Sequence, residues 1–374
     1  MENLGQRFLE AQETIEVIPI DLLMDFFSRV PATTIARCLC VSKLWESILV
    51  RPDFTELFMT MSCARPRLFL FTFQLEKNIF FFSSPQPQKL DDNSSLVLTR
   101  YHVHHTHNIF PSKIGSPLGG FFCRLYEKTV FICNPVTGES ISLLKTESKS
   151  LDVFMKPFLG YDPIDKQFKV LCISIIDASD EHKILTLENG KHLWRDIECI
   201  EPHYPKSSGI CLDGVLYYTA GVDRKFMVTM IVCFDIRFEK FSFIKIDKDS
   251  LMNSSCTLID YKGKLGALQF TLSYPKRLEF WLLEDAEKCT WSTNIYTFPS
   301  FTQNFVNRTG LAIVGMTDSG EVVLSPHVIT DPFYIYYYDL KSNGFTRVQI
   351  KGLELFKTKR VNISLDYSEN LKFM

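Results

Sequence analysis

A repeat of short apolar hairpins is the feature that most constrains how this chain can fold. Five hairpin turns recur about every fifty residues, at Thr137-Gly138, Asn189-Gly190, Arg237-Phe238-Glu239, Asp285-Ala286-Glu287 and Ser342-Asn343-Gly344. An apolar or aromatic residue follows each turn a few positions later, which keeps the register of the repeat. A second hairpin lies before most of these turns, with its own turn at Asp213-Gly214, Lys262-Gly263, Asp318-Ser319-Gly320 or, in a weaker form, Tyr126-Glu127-Lys128.

Two hairpins per repeat give four strands, which is the content of one β-propeller blade. A further hairpin, with its turn at Glu76-Lys77-Asn78, and a C-terminal strand from Val361 to Leu365 are expected to complete a sixth blade or to close the ring. The sequence therefore predicts a mainly-β propeller of five to six four-stranded blades. A β-sandwich is the main competing fold, but it does not need hairpins in such steady register.

A compact helical segment precedes the strands, over residues 18–54. Pro19 suits the first turn of a helix. Apolar residues then recur at helical spacing, at Leu22, Leu23, Phe26, Phe27 and Val30. Thr33 or Thr34 is expected to cap a second short helix, and Ser42 a third. Helices this short cannot bury all of their apolar surface among themselves, so the excess needs a partner, either the rest of the chain or another protein.

The composition excludes several classes of protein. The chain has 374 residues, which is enough for one small and one large domain, and its net charge of -2 gives no basic field for nucleic acid or acidic membrane. Its cysteines number 11, without a CxxC pair, which is typical of reduced thiols in a cytoplasmic or nuclear protein. The N-terminal residues lack the apolar core of a signal peptide, and no apolar run reaches the length of a membrane span.

The sequence gives little support for catalysis. The GxGxxG, GxxxxGK[ST], HExxH and GxSxG motifs are all absent, so phosphate cradling, zinc hydrolysis and a serine nucleophile find no support. The nearest candidate metal ligands are His102, His104, His105 and His107. On a strand they alternate in pairs between two faces, which supplies at most two ligands per face, so we expect a solvent-facing strand or loop and no metal or other cofactor.

The helical segment resembles an F-box of the form common in large plant families. The resemblance rests on Ile18-Pro19, Leu22-Leu23, Ser28-Arg29-Val30-Pro31, Arg37, Cys40-Val41-Ser42-Lys43 and Trp45. It implies that the segment docks on a Skp-type adaptor, which connects the protein to a cullin scaffold. By position in the family motif, the expected adaptor-binding residues are Ile18, Pro19, Leu22, Phe26, Val41, Lys43 and Trp45. Pro19 and Trp45 are expected to anchor the apolar contact, with Lys43 at its polar rim.

The strings CNPVTGESISLL, FLGYDPIDKQFKVLCI and ICLDGVLYYTAG are similar to the F-box-associated domain, a kelch-like propeller that follows the F-box in many plant proteins. The two resemblances together imply an α+β multidomain protein. Residues 1–14 are expected to form a flexible segment, 15–62 the F-box and 63–370 the propeller.

The resemblance implies the substrate-recognition subunit of a Skp-cullin-F-box ubiquitin ligase, which is not itself an enzyme and whose propeller binds a target protein that the sequence does not identify. Three alternatives remain open. The helices are a cap on the propeller and bind no adaptor; the propeller binds a carbohydrate or small ligand; or the propeller is an enzyme of the kelch oxidase kind, for which no ligand-like group of Tyr, His and Cys is present.

Overall fold

The structure is a computed structural model that describes residues 18–65, 67–87, 94–105, 113–126, 129–145, 154–176, 179–187, 193–222, 228–246, 252 and 256–372. These residues divide into two compact units. The first contains the helices up to Arg65 together with four residues near the C-terminus, Glu369–Lys372. The second contains the strands, up to Ser368. The domain boundaries drawn from the sequence, at residues 15–62 and 63–370, stay predictions.

The described part of the helical unit has four helices: α1 (Ile20–Ser28), α2 (Ala32–Cys38), α3 (Lys43–Leu49) and α4 (Pro52–Ala64). Helix α1 begins after Pro19, whose carbonyl accepts the amide hydrogens of Leu22 and Leu23 at 3.0 and 3.1 Å. Ser42 caps α3, as the sequence predicts, because its Oγ accepts the amide hydrogen of Trp45 at 3.2 Å. The core of the unit consists of buried side chains from all four helices, among them Leu23, Phe27, Ile35, Ile48, Phe54 and Phe58.

The predicted cap of α2 at Thr33 or Thr34 is wrong. Helix α2 begins one residue after Pro31, and both threonines lie inside it. Pro31 has no side-chain acceptor, but its carbonyl accepts the amide hydrogens of Thr34 and Ile35 at 2.8 and 3.2 Å. The free amide at the start of α2 finds its acceptor in a distant residue instead, because Ala32 N donates to Glu369 Oε2 at 3.0 Å.

The second unit contains 26 described strands. They are β1 (Leu68–Leu75), β2 (Asn78–Pro85), β3 (Ser95–Val97), β4 (Thr99–His105), β5 (Lys113–Ile114), β6 (Phe122–Tyr126), β7 (Thr129–Cys133), β8 (Ser140–Lys145), β9 (Phe154–Asp162), β10 (Gln167–Ile176), β11 (Ser179–Leu187), β12 (Arg195–Asp196), β13 (Tyr204–Pro205), β14 (Ile210–Leu212), β15 (Val215–Gly221), β16 (Met230–Asp235), β17 (Lys240–Lys245), β18 (Thr257–Tyr261), β19 (Lys264–Phe270), β20 (Leu278–Asp285), β21 (Thr290–Tyr296), β22 (Leu311–Met316), β23 (Glu321–Pro326), β24 (Phe333–Asp339), β25 (Gly344–Lys351) and β26 (Asn362–Tyr367). The unit also has a helix α5 (Ser300–Arg308) and a 3-10 helix, Glu354–Phe356.

Within the described residues these strands form six sheets, each of four or five strands, and the protein is a six-bladed propeller. Blade 1 has the strand order β26-β1-β2-β4, blade 2 β5-β6-β7-β8 and blade 3 β9-β10-β11-β12. Blade 4 has β13 and β14 beside β15-β16-β17, blade 5 has β18-β19-β20-β21, and blade 6 has β22-β23-β24-β25-β3. The predicted propeller with a ring-closing C-terminal strand is confirmed, since β26 pairs with β1 in blade 1.

The predicted hairpin turns fall between paired strands wherever the structure describes them. For example, Asp213-Gly214 joins β14 to β15, and Lys262-Gly263 joins β18 to β19. Asp213 and Lys262 both have a positive φ, the backbone conformation that such tight turns need. The predicted turn Asn189-Gly190 and residues 127–128 of the predicted turn Tyr126-Glu127-Lys128 lie outside the described residues.

The core of the propeller lies between neighbouring blades. Blades 3 and 4 illustrate the packing, since the rings of Phe158 and Tyr218 stack with their centroids 4.4 Å apart. A second close approach is between Gly160 on β9 and Ile236 after β16, because a Cβ added at Gly160 would lie 2.1 Å from Ile236 Cδ1. Aromatic side chains therefore contribute to the packing between neighbouring blades.

Candidate functional site

The helical unit presents a row of exposed apolar side chains along α1. Leu22 and Phe26 on α1 are 60 and 59% exposed, and Ile18, two residues before the helix, is 56% exposed. Their neighbours Leu23 and Phe27 are buried in the core of the unit. The helix therefore has two apolar faces, of which the core uses only one.

A second exposed apolar group lies where α2 ends and α3 begins. Val41 is 62% exposed and Leu44 45% exposed. Helices α1 and α3 pack against each other through Phe27 and Trp45, whose rings meet edge to face with centroids 4.9 Å apart. The residues Ile18, Ile20, Leu22, Phe26, Val41 and Leu44 are called the helical apolar surface below.

The adaptor-binding residues predicted from the sequence differ in their exposure to solvent. Ile18, Pro19, Leu22, Phe26, Val41 and Lys43 are all exposed. Trp45 is half-buried, because one side of its ring contacts Phe27. Its predicted role as an anchor stays a prediction, and its packing gives it a structural role as well.

Sequence reasoning omitted two members of the helical apolar surface, Ile20 and Leu44, although both are large and exposed. Leu44 is the second residue of α3, and Val41 precedes that helix, so helical spacing does not relate the two. Ile20 is the first residue of α1 and follows Pro19 directly, so periodicity alone does not assign it to a face.

The histidine run does not form the solvent-facing segment that its sequence suggests. His104 is 5% exposed and its ring meets Phe81 edge to face. Burial lowers the pKa of His104 to about 4. His102 and His105 are exposed, and His107 lies outside the described residues. The simple alternation fails because the pairing of β2 with β4 shifts between Phe80 and Phe82, so that the buried positions around this irregularity are three residues apart.

A different group of potential metal ligands comes together between blades 3 and 4. It consists of His182 on β11 and of Cys199 and His203 in the segment that joins β12 to β13. One ligand atom from each residue lies within 4.8 Å of the other two. From the sequence we expected no ligand-like group of Tyr, His and Cys, and this expectation is wrong for His182, Cys199 and His203. The C-x3-H spacing of Cys199 and His203 was the only sequence signal for the group.

The propeller also encloses a cavity of about 640 Å³ at its axis. Innermost strands of the blades line it, and its polar lining residues include Arg67, Tyr261, Lys262, Thr317, Asp318 and Asp366. Arg67 Nε lies 3.1 Å from Asp318 Oδ2, and Arg67 Nη1 lies 3.1 Å from Asp366 Oδ2. Burial raises the pKa of Asp366 and outweighs the opposite effect of Arg67. The cavity has the size and mixed polarity of a site for a small ligand.

One loop of the propeller exposes large apolar side chains next to α5. Leu272 and Tyr274 in the loop are 70 and 75% exposed, and Phe301 on α5 is 77% exposed. The loop and the helix are tied together, since Gln303 Nε2 donates to the carbonyl of Lys276 at 2.9 Å. Nothing in the sequence repeat distinguishes this loop from the others.

No helix in the described part of the chain is both long and apolar enough to cross a membrane.

Two family models match the chain. The F-box associated beta propeller domain matches residues 68–368, and the F-box domain matches residues 15–57. Among curated relatives, F-box protein At1g53790 of Arabidopsis thaliana is 62% identical over 365 residues, which cover 96% of this chain and 82% of that protein. F-box protein DOR of Arabidopsis thaliana is 44% identical over 385 residues, covering 99% of this chain and 97% of that protein.

Similarity to solved structures is distant. Porphyromonas gingivalis dipeptidyl peptidase 4 aligns with a TM-score of 0.38 and 9% identity, over 72% of this chain and 44% of that one. An ACO/RPE65 chimera aligns with a TM-score of 0.40 and 11% identity, over 76% of this chain and 77% of that one.

Proposed function

The chain belongs to the F-box proteins that carry an F-box associated β-propeller domain, and on this basis we propose that it is the substrate-recognition subunit of a Skp-cullin-F-box ubiquitin ligase. Its F-box docks on a Skp-type adaptor, which connects it to the cullin scaffold, and its propeller binds a target protein. We place this complex in the reducing environment of the cytoplasm or nucleus.

The observation that carries the proposal is the helical apolar surface. Exposing large apolar side chains to water is unfavourable, at roughly 25 cal/mol for each Å² of apolar area. Ile18, Leu22 and Phe26 are nevertheless exposed in a row, beside a core that is complete without them. An apolar row of this kind is what a partner protein covers, with Lys43 available for a polar contact at the edge.

The proposed mechanism is recruitment, and the protein itself makes and breaks no bond. A target bound to the propeller and a ubiquitin-charged enzyme bound to the same scaffold meet at a high effective concentration. The exposed loops of the propeller, among them the loop with Leu272 and Tyr274, supply the surface for the target.

Adaptor binding is tested with the purified full chain and a purified Skp-type adaptor. The variant Leu22→Ala/Phe26→Ala removes two members of the helical apolar surface. We expect it to bind the adaptor at least tenfold more weakly than the wild type, because two exposed anchor side chains contribute more than about 1.4 kcal/mol together.

The matched control is Val50→Ala. Val50 lies in the same helical unit and is 55% exposed, but it lies outside the helical apolar surface. This variant should bind as the wild type does. The proposal is contradicted if both variants lose the same amount of affinity for the adaptor, or if the wild type does not bind the adaptor. Either result favours helices that only cap the propeller.

A second candidate function follows from the axial cavity. Its volume of about 640 Å³ and its charged residues Arg67, Asp318 and Asp366 suit a small polar ligand such as a carbohydrate. In a thermal screen of mono- and oligosaccharides, a hit should raise the melting temperature of the wild type. The variant Asp318→Asn should lose that shift, whereas a shift that survives the substitution argues against binding in the cavity.

A further inference from the structure

Three side chains with affinity for transition metals meet between blades 3 and 4. His182 lies on β11, and Cys199 and His203 lie four residues apart in the segment that leads into β13. His182 and His203 are 4 and 1% exposed. Their rings lie with centroids 5.3 Å apart. One thiol and two imidazoles form a donor set that zinc prefers in proteins.

The distances in this group are close to those of a tetrahedral metal site. Cys199 Sγ lies 3.8 Å from His203 Nδ1. In a tetrahedral zinc site the separation of a sulfur and a nitrogen ligand is about 3.6 Å, given bonds of about 2.3 and 2.1 Å. Since the ligand atoms all lie within 4.8 Å of one another, small rotations of the side chains suffice to bring them to these distances.

The surrounding residues already orient His203 in the way that metal-bound imidazoles require. Its Nε2 lies 2.7 Å from the hydroxyl of Tyr218, and the thiol of Cys199 donates to the carbonyl of Glu201 at 3.4 Å. Nδ1 also lies 2.9 Å from the carbonyl of Glu201, to which it donates a hydrogen bond in the metal-free protein. Metal binding exchanges that bond for a metal bond, and the proton moves to Nε2 so that it can donate to Tyr218.

The site has an approach from solvent. Cys199 is half-buried, unlike the two histidines. Ile200, which follows it, is 93% exposed. A fourth ligand, such as water, therefore has access on the side of Cys199.

We propose that His182, Cys199 and His203 bind one zinc ion. Binding releases the thiol proton of Cys199, because the thiolate is the form that ligates zinc. The ion joins β11 to the segment 197–203, which is already held at one point by the amide of Ile197 donating to the carbonyl of His182 at 2.9 Å. Zinc thereby fixes the position of the exposed Ile200 relative to β11.

The test is a titration of the full-length protein with zinc in competition with a chromophoric chelator. We expect one zinc ion per chain for the wild type. The variants Cys199→Ser and His182→Gln should each weaken binding at least tenfold, because each removes one ligand. Cobalt in place of zinc should give a thiolate-to-metal charge-transfer band that Cys199→Ser abolishes.

Matched controls separate this site from the other thiols and imidazoles of the chain. Cys289 is half-buried in blade 5, and His102 is exposed on β4. Cys289→Ser and His102→Gln should bind zinc as the wild type does. Weak binding by the wild type, or equal affinity in the Cys199→Ser variant, overturns the proposal and leaves the group as hydrogen-bonded side chains between two blades.

A measurement on the wild type alone covers the case in which a variant fails to fold. Zinc should protect Cys199 from alkylation in a peptide map and slow amide hydrogen exchange over residues 197–203. Unchanged labelling of Cys199 at saturating zinc contradicts the proposal as directly as the titration does.

Discussion

The carboxylate of Glu369 accepts a hydrogen bond from the backbone nitrogen of Ala32 at 3.0 Å, across 337 residues of sequence. The same carboxylate lies 3.6 Å from Nη1 of Arg65. Both contacts are inside the helical unit, to which residues Glu369–Lys372 belong. The start of α2 is therefore completed by the C-terminal end of the chain.

Replacing Glu369 with alanine should destabilise the helical unit by about 1–3 kcal/mol, because the buried amide of Ala32 loses its acceptor and Arg65 its counter-ion. The measurement is amide hydrogen exchange by mass spectrometry, which should show faster exchange in α2 and unchanged exchange in the blades. The control is Glu56→Gln, a change at an exposed residue of α4. Unaltered exchange of α2 in Glu369→Ala contradicts this role.

Phe26 and Phe27 are adjacent but should respond in opposite ways to substitution. Phe27 is fully buried and contacts Trp45, so Phe27→Ala should lower the free energy of unfolding by about 3–5 kcal/mol. Phe26 is 59% exposed, so Phe26→Ala should change stability by less than about 0.5 kcal/mol. Urea unfolding of both variants checks this difference. Equal destabilisation places Phe26 in the core and weakens the proposed docking surface.

Glu239 connects blades 3 and 4 through two cations. Its Oε1 lies 2.7 Å from Nζ of Lys169, and Arg195 donates to both of its carboxylate oxygens. Burial raises the pKa of Glu239, but hydrogen bonds from Arg195 and Lys169 outweigh this effect and leave its pKa below 4.5.

The free energy of unfolding of the Glu239→Gln variant should be about 1–3 kcal/mol lower than that of the wild type at neutral pH, because the buried Lys169 loses a charged partner. The carboxylate contributes this stability above its unfolded-state pKa and loses it as the pH falls through the lower folded-state pKa. The difference in free energy of unfolding between wild type and variant should therefore become smaller below about pH 4.5, as measured by urea unfolding. A gap that is constant with pH contradicts an ionic contribution.

His104 should make the protein less stable in mild acid. Burial holds its folded-state pKa at about 4, below the ordinary value of 6.5. The unfolded chain therefore binds a proton at this residue over the interval in which the folded chain does not, and stability falls as the pH drops from 6.5 to 4. Protonation of this residue in the unfolded chain lowers the free energy of unfolding by up to about 3 kcal/mol. Histidine NMR titration checks the pKa directly, and a His104 value near 6.5 contradicts the prediction.

Gly160 should tolerate no side chain while Ile236 is present. A Cβ at residue 160 meets Ile236 Cδ1 at 2.1 Å, so Gly160→Ala should cost about 1–3 kcal/mol through overpacking. In the Ile236→Ala background, Gly160→Ala should lower the free energy of unfolding by less, because the clashing atoms of Ile236 are absent. Gly310→Ala is the control, because no atom lies within 4 Å of its added Cβ. Additive effects of the Gly160 and Ile236 changes in urea unfolding contradict the clash.

The sequence by itself determined the helical segment over residues 18–54, most of the hairpins and the closure of the ring. These features depend on local periodicity and on turn residues such as Asp213-Gly214, whose conformations are set by their immediate neighbours. Even the pairing of β26 with β1 was predictable, because a propeller must close to remove its sheet edges. The exposure of Leu22 and Phe26 also follows from helical spacing, once one face of α1 is assigned to the core.

The tertiary structure alone decided the features that depend on contacts between distant residues. The acceptor for the start of α2 comes from Glu369, so the local threonine caps were unnecessary. An irregularity opposite Phe81 buries His104, which alternation would have left beside His102. Helix α5 was not predicted, because it buries only Thr302 and Val306 and so has little apolar pattern. The group of His182, Cys199 and His203 exists only where two blades meet, since sequence spacing does not say which residues of neighbouring blades face each other.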